Sequence, residues 1–240
     1  MGLELLAVSM IIAGMGGLIR GLTGFGGALV MMPPLALIMG PRLAVFTVLL
    51  LECFAGWPML REAVRLAHYR VIVPIAVAAC VTMPLGAYLL VTADPLVLRR
   101  WIAGIVIVFS MVMLTGVRYQ GSQRLGTSIA LGAFSGVLLG ATGIGAPPVI
   151  LYLLSGPDPA ARTRANLTLY VATLSLVMLA VLLFGRIVQT REVLTALILG
   201  PCFYIGVKFG ARLFLRFSEL RFRQFALVLV SVVSALILFL

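Results

Sequence analysis

Two glycine-rich stretches hold the residues best suited to chemistry: Arg20-Gly21-Leu22-Thr23-Gly24-Phe25-Gly26, followed by Pro33-Pro34, and Gly140-Ala141-Thr142-Gly143-Ile144-Gly145, followed by Pro147-Pro148. Glycine lacks a Cβ, so it permits a break in a helix and leaves backbone N–H groups open to approach. Thr23 and Thr142 each add a hydroxyl, and a helix that restarts after a break presents a partial positive charge at its N-terminus. Hydroxyls, open N–H groups and half-helix N-termini together are the chemistry of oxyanion binding. The expected substrate contacts are therefore Gly21, Thr23, Gly24 and Gly26 in the first stretch and Gly140, Thr142, Gly143 and Gly145 in the second. A competing use is close helix packing, for which Gly17-x-x-x-Gly21 and Gly136-x-x-x-Gly140 have the right spacing. The paired threonines, matched glycines and nearby prolines weigh toward a binding break.

The setting for these breaks is hydrocarbon. The chain is 62% hydrophobic with 10% charged residues and has a mean hydropathy of +1.20. A soluble domain of 240 residues needs far more polar surface. Apolar runs of membrane-spanning length recur at Leu43 to Leu60, Val71 to Val91, Trp101 to Val117, Leu167 to Phe184, Val193 to Leu215 and Phe225 to Leu240. Strand-like alternation is absent, so an all-α polytopic membrane protein is expected, forming a single transmembrane domain over residues 1–240 and residing in the cell membrane, the inner membrane if the source is bacterial. In hydrocarbon a non-helical break is tolerated only where protein or a watery cavity satisfies the backbone, so the two breaks are expected to meet inside the protein.

An internal duplication supports that placement. Shifting the sequence by 119 lays Gly17, Gly21, Thr23, Gly24, Gly26 and Val30 on Gly136, Gly140, Thr142, Gly143, Gly145 and Val149. A shift of 124 lays Gly86 to Trp101 over Gly210 to Phe225. Two repeats follow, at residues 1–120 and 121–240, each a glycine-broken segment plus three spans. Broken helices at matching positions of two repeats are the sequence pointer to a transporter's binding site. The arginines favour inverted repeats. If all the broken segments crossed the membrane, loop arginines would divide almost evenly between its faces. If each folds back as a re-entrant hairpin, Arg61, Arg65, Arg70, Arg118, Arg124, Arg162, Arg164, Arg216, Arg221 and Arg223 share one face against Arg42, Arg99, Arg100, Arg186 and Arg191, which obeys the positive-inside rule. Against the hairpin stands the length of Leu3 to Ile19, about 25 Å as helix.

Polar residues within the apolar frame are further candidates. Arg20 abuts the first break and either faces an anionic substrate or snorkels to an interface. Glu52, in the middle of its span, either pairs with Arg20 or titrates and couples transport to protons. Lys208, near the end of its span, either snorkels to the interface or contacts the substrate. Asn166 either bonds a substrate oxygen or makes an interhelical hydrogen bond.

Other function classes are disfavoured. The net charge of +11 is scattered through short connections rather than gathered into a nucleic-acid face. The single histidine, His68, lies in a basic loop, and neither a nucleophile–base pair nor metal-ligand spacing is present, so no enzyme, metal or cofactor is expected. Cys53, Cys80 and Cys202 lie in apolar segments as packing residues. No Lys or Arg precedes Arg20, so a cleavable leader is not expected.

The repeated GLTGFGG and GATGIGAPP, each opening a half of the chain, resemble the TauE/SafE sulfite-exporter family of membrane permeases. That resemblance covers essentially the whole chain and implies transport, as export, of a small anion such as sulfite, an organosulfonate or sulfoacetate. Where the family often reads Gly-x-Gly-Gly, the second motif here reads Gly143-Ile144-Gly145-Ala146. An anion channel remains the alternative, since channels also use broken helices and dipoles. Expected partners are the small anion, membrane lipid, a coupling proton or sodium ion, and further copies of the chain.

Overall fold

The computed structural model describes residues 2–115, 124–154, 156, 158–185 and 190–214, with positions 228, 231–232 and 234–235 beyond them. Every element among these is helical. The order is α1 (Leu3–Thr23), α2 (Gly27–Met39), α3 (Pro41–Leu66), α4 (Tyr69–Thr92), α5 (Pro95–Leu114), α6 (Leu125–Thr142), α7 (Ala146–Leu154), α8 (Ala160–Phe184) and α9 (Thr190–Phe214). The expected spans at Leu43, Val71, Trp101, Leu167 and Val193 correspond to α3, α4, α5, α8 and α9. The run Phe225 to Leu240, and the loops carrying Arg118, Arg186 and Arg216, lie outside the described residues.

Local chemistry sets several helix limits. Pro41 and Pro95 occupy first helical positions, where the missing N–H costs nothing. Asp94 caps α5 by accepting the Leu96 N–H at 2.7 Å and the Val97 N–H at 3.3 Å. Gly24 ends α1 in the left-handed conformation, φ 77°, and Gly143 ends α6 in the same way, φ 71°. L-residues with a Cβ rarely adopt that conformation, so both stops are written in the glycines.

Six helices, α1, α4, α5, α6, α8 and α9, are long and apolar enough to cross a membrane, whereas α2 is a shorter apolar helix. Exposed apolar side chains such as Val81, Trp101 and Phe184, the last 90% exposed, cover the outside. That surface suits lipid and is unsuited to water. Within the bundle, α3 packs on α8, α1 runs along α9, and α4 runs along α6. The last two contacts are built from glycine. A Cβ on Gly17 or Gly21 would collide with the backbone of α9 at Phe203 or Val207, and one on Gly206 or Gly210 with the backbone of α1 at Gly14 or Leu18. At the other seam, a Cβ on Gly140 would lie 2.8 Å from the Gly86 Cα, and one on Gly136 2.7 Å from the Ala79 Cα. Small residues let the backbones approach where hydrocarbon supplies no hydrophobic drive.

Gly136→Ala should therefore overpack the α4–α6 seam and cost about 1–3 kcal/mol, read as a lower unfolding temperature in detergent. Gly104→Ala is the control, because nothing lies within 4 Å of its added methyl. Equal thermal behaviour of the two variants would refute the seam.

Candidate functional site

The site begins at the two breaks. After Gly24, the chain turns through Phe25 and Gly26, φ 87°, and restarts as α2 at Gly27. Helix α2 returns along α1: a Cβ on Gly16 would meet the Met31 side chain and, at 3.3 Å, the Gly27 carbonyl. The second break also turns back, since the Ser135 hydroxyl of α6 donates to the Gly145 carbonyl just before α7. The first arms, α1 and α6, are long enough to span, while the 13 residues of α2 and the 9 of α7 are not.

Thr23 and Thr142 do the same work in each turn. Thr23 Oγ1 has two carbonyl acceptors within reach for its one proton, Ile19 at 2.9 Å and Phe25, and accepts the Phe25 N–H at 3.3 Å. Thr142 Oγ1 donates to the Leu138 carbonyl at 2.7 Å and accepts the Ile144 N–H at 3.3 Å. Their hydroxyl protons are thus engaged with the breaks themselves. Substitution Thr142→Val keeps the shape but orphans the buried Ile144 N–H, at about 1–3 kcal/mol. It should lower the unfolding temperature and slow transport together; a variant with parental stability and flux would show that the hydroxyl does not hold the turn.

The breaks converge on one small cavity of about 30 Å³, lined by Gly26 from the first break, Gly143 and Gly145 from the second, Glu52 of α3, and Tyr170 and Ser175 of α8. That volume holds about one water-sized group. Tyr170 is held by a 2.7 Å hydrogen bond between its hydroxyl and that of Ser135, so α8 is tied to the second break.

Charge is concentrated at the first break. Arg20 is fully buried, and its Nε lies 2.6 Å from Glu52 Oε2. Arg20 is accordingly an interior residue and does not snorkel. The contact is ionic, without hydrogen-bond alignment, and Nη1 and Nη2 are buried with no hydrogen-bond partner among the described residues. The other carboxylate oxygen, Oε1, lies 2.7 Å from where a Cβ on Gly27 would stand, so only glycine at the first position of α2 admits the carboxylate there. Carboxylates are favoured at helix N-termini, where the first N–H groups lack intrahelical partners.

Three expected contacts, Gly21, Gly140 and Asn166, have protein neighbours of their own. Gly21 and Gly140 lie within α1 and α6 and face the backbones of α9 and α4, so close packing accounts for them. Asn166 is buried and its Oδ1 accepts the His68 N–H at 2.7 Å, tying α8 to the α3–α4 junction. Its Nδ2 is buried with no hydrogen-bond partner among the described residues. His68 Nδ1 also approaches Asp158 Oδ2 at 3.1 Å, beside Arg162. Lys208 stands over the Tyr204 ring, 4.7 Å from its centroid, on an exposed face.

One residue at the first break was not singled out from the sequence. Arg164, grouped among the loop arginines, is in α8, donates from Nη2 to the Gly21 carbonyl at 3.0 Å, and would have its Cγ 2.7 Å from a Cβ on Gly24. The equivalent contact at the second break is made by Val45, whose Cγ2 lies 3.4 Å from a Cβ on Gly143. Val45 is the residue that the 119-residue shift lays on Arg164. That correspondence was the available signal, but it pairs a cation with a valine and so carries no mark of function.

A multi-helix membrane bundle whose broken helices turn inward onto a shared cavity is the architecture of a polytopic membrane transporter. The family model for sulfite exporter TauE/SafE matches residues 9–237, and the chain belongs to that family. It is a multi-pass membrane protein of a transporter family, as the motifs implied. No curated protein and no solved structure matches the chain.

Proposed function

We propose that the chain is a secondary transporter, working as an exporter, for a small anion such as sulfite, an organosulfonate or sulfoacetate, held where the two breaks meet. The observation that carries this reading is the shared cavity: glycines of both breaks line it, the N-terminal ends of α2 and α7 adjoin it, and Glu52, which contacts the buried Arg20 behind it, lines it. Gly24, Gly26, Gly143 and Gly145 shape the binding place, Thr23 and Thr142 hold its turns, and Arg20 supplies the cation, with Arg164 reaching the first break from α8.

The helix pairings favour an inverted-repeat arrangement with re-entrant arms. In it α1 corresponds to α6 and α4 to α9, so each broken helix packs on a helix of the other repeat, and α3 packs on its counterpart α8. Rocking of one repeat on the other would open the site to alternate faces. Closed inward turns at both breaks and a cavity between them holding about one water-sized group fit a carrier, whereas an anion channel would need an open path through the same place.

The test is uptake of labelled sulfite, sulfoacetate and a small carboxylate into vesicles containing the purified chain. Saturable flux of at least one sulfur oxyanion, above protein-free vesicles, is expected. Absence of flux for all of them, or single-channel conductance in a planar bilayer, would reject the reading.

A further inference from the structure

We infer that the Glu52 carboxylate is a resident stand-in for the transported anion, so that an anion enters the site only as Glu52 takes up a proton and yields its place. This rests on the anion-transport reading above and specifies how the site is loaded and emptied. Three observations meet at one point. The Glu52 carboxylate lies at the first residue of α2, with Oε1 2.7 Å from the Gly27 Cβ position, where an oxyanion is best stabilised. It holds the fully buried Arg20 at 2.6 Å through Nε, leaving Nη1 and Nη2 without hydrogen-bond partners among the described residues. Glu52 also lines the cavity between the breaks. The protein's own carboxylate thus occupies the place that the cation, the helix end and the cavity define.

An incoming anion and an ionised Glu52 cannot both be accommodated, because two anions sharing one buried cation leave a net charge in low dielectric. Protonation of Glu52 removes the conflict. The loaded site then holds Arg20 as a cation, the anion and a neutral carboxylic acid; the empty site holds Arg20 and the carboxylate. Both states are neutral for a monovalent anion, so one proton travels with each anion and the cycle moves no net charge. The groups facing Glu52 are Arg20 of α1, Tyr170 of α8 across the cavity, and its neighbour Cys53 on α3; α2 carries no titratable side chain. Arg164 of α8 is directed at Gly21 and Gly24, and Lys208 of α9 lies over Tyr204.

The test uses methanesulfonate, whose charge is constant across the working pH range, and calorimetric titration of the purified full chain in buffers of differing ionisation enthalpy. At neutral pH the parent should take up about one proton per anion bound, and its affinity should rise up to about tenfold for each unit of pH decrease. Glu52→Gln should bind at least about tenfold more tightly at neutral pH, with no pH dependence, because the competitor is gone. Its slow flux would reflect poor release. Zero proton uptake by the parent overturns the inference without recourse to any variant, as does equal, equally pH-dependent binding by parent and Glu52→Gln. If neither protein binds methanesulfonate, sulfite or sulfoacetate, the anion-transport reading itself fails.

Discussion

Replacing Arg20 alone by leucine is expected to destabilise the protein by about 3–5 kcal/mol, because the Glu52 carboxylate would be left buried without its cation. Arg20 is fully buried and the Glu52 side chain is 3% exposed, so bulk water does not solvate the carboxylate once its partner is lost. Replacing both, as Arg20→Leu with Glu52→Leu, should bring stability back close to the parent, since an apolar pair of similar bulk avoids the desolvation of two ions. Anion flux should be abolished in both proteins, as neither retains the cation. The measurement is a double-substitution cycle on unfolding in detergent, with flux assayed in parallel. Additive losses, with the double variant worse than either single one, would show that the two residues are not energetically coupled. Flux surviving in the double variant would remove Arg20 from the site.

The second large effect is expected at Gly143. With φ 71°, a side chain there costs about 1–2 kcal/mol in backbone strain. Its Cβ would meet the Met32 side chain at 3.1 Å and Val45 at 3.4 Å. Met32 is flexible enough to yield, so Gly143→Leu should still insert and fold. Its isobutyl group, however, exceeds a cavity of about 30 Å³ that Gly143 itself lines. Flux should fall at least about a hundredfold at normal expression, a loss of about 2.7 kcal/mol or more in transport free energy. Gly24→Leu points instead at Arg164, 2.7 Å away at Cγ, and should disturb the α1–α8 contact as well. A Gly143→Leu protein that transports at the parental rate would mean the anion passes elsewhere and that the breaks are packing devices.

The two threonines show how sequence and structure divided the evidence. Their pairing with glycines at matching positions marked the breaks correctly. Their assignment as donors to a substrate presumed free hydroxyl protons, whereas the structure directs those protons to backbone carbonyls, of Ile19 or Phe25 for Thr23 and of Leu138 for Thr142. A threonine at the end of a helix finds a carbonyl four residues back within reach of its own side chain, so local bonding takes precedence over a ligand. Gly21 and Gly140 followed the packing alternative for a related reason. Each is one turn short of its break, within a continuous helix, and the face it presents is claimed by a neighbouring backbone.

What the sequence determined by itself was everything that depends on residue type and local order. Hydropathy dictated a membrane bundle of helices, because a backbone in hydrocarbon must bond to itself. Gly24 and Gly143 dictated where α1 and α6 stop, because glycine accepts a left-handed turn at little cost. The repeated motif was enough to mark the family. What only the tertiary structure decided was which of these helices face one another. Arg20 and Glu52 were candidates for pairing, but an equally consistent sequence reading sent Arg20 to an interface; the angular setting of α1, α2 and α3, with glycine at position 27, made the contact. Arg164 was invisible as a site residue because its role comes from α8 crossing the end of α1. Asn166, two positions along the same helix, was carried to the opposite side, against His68. Helix rotation is set by packing summed over the bundle, and no short stretch of sequence encodes it.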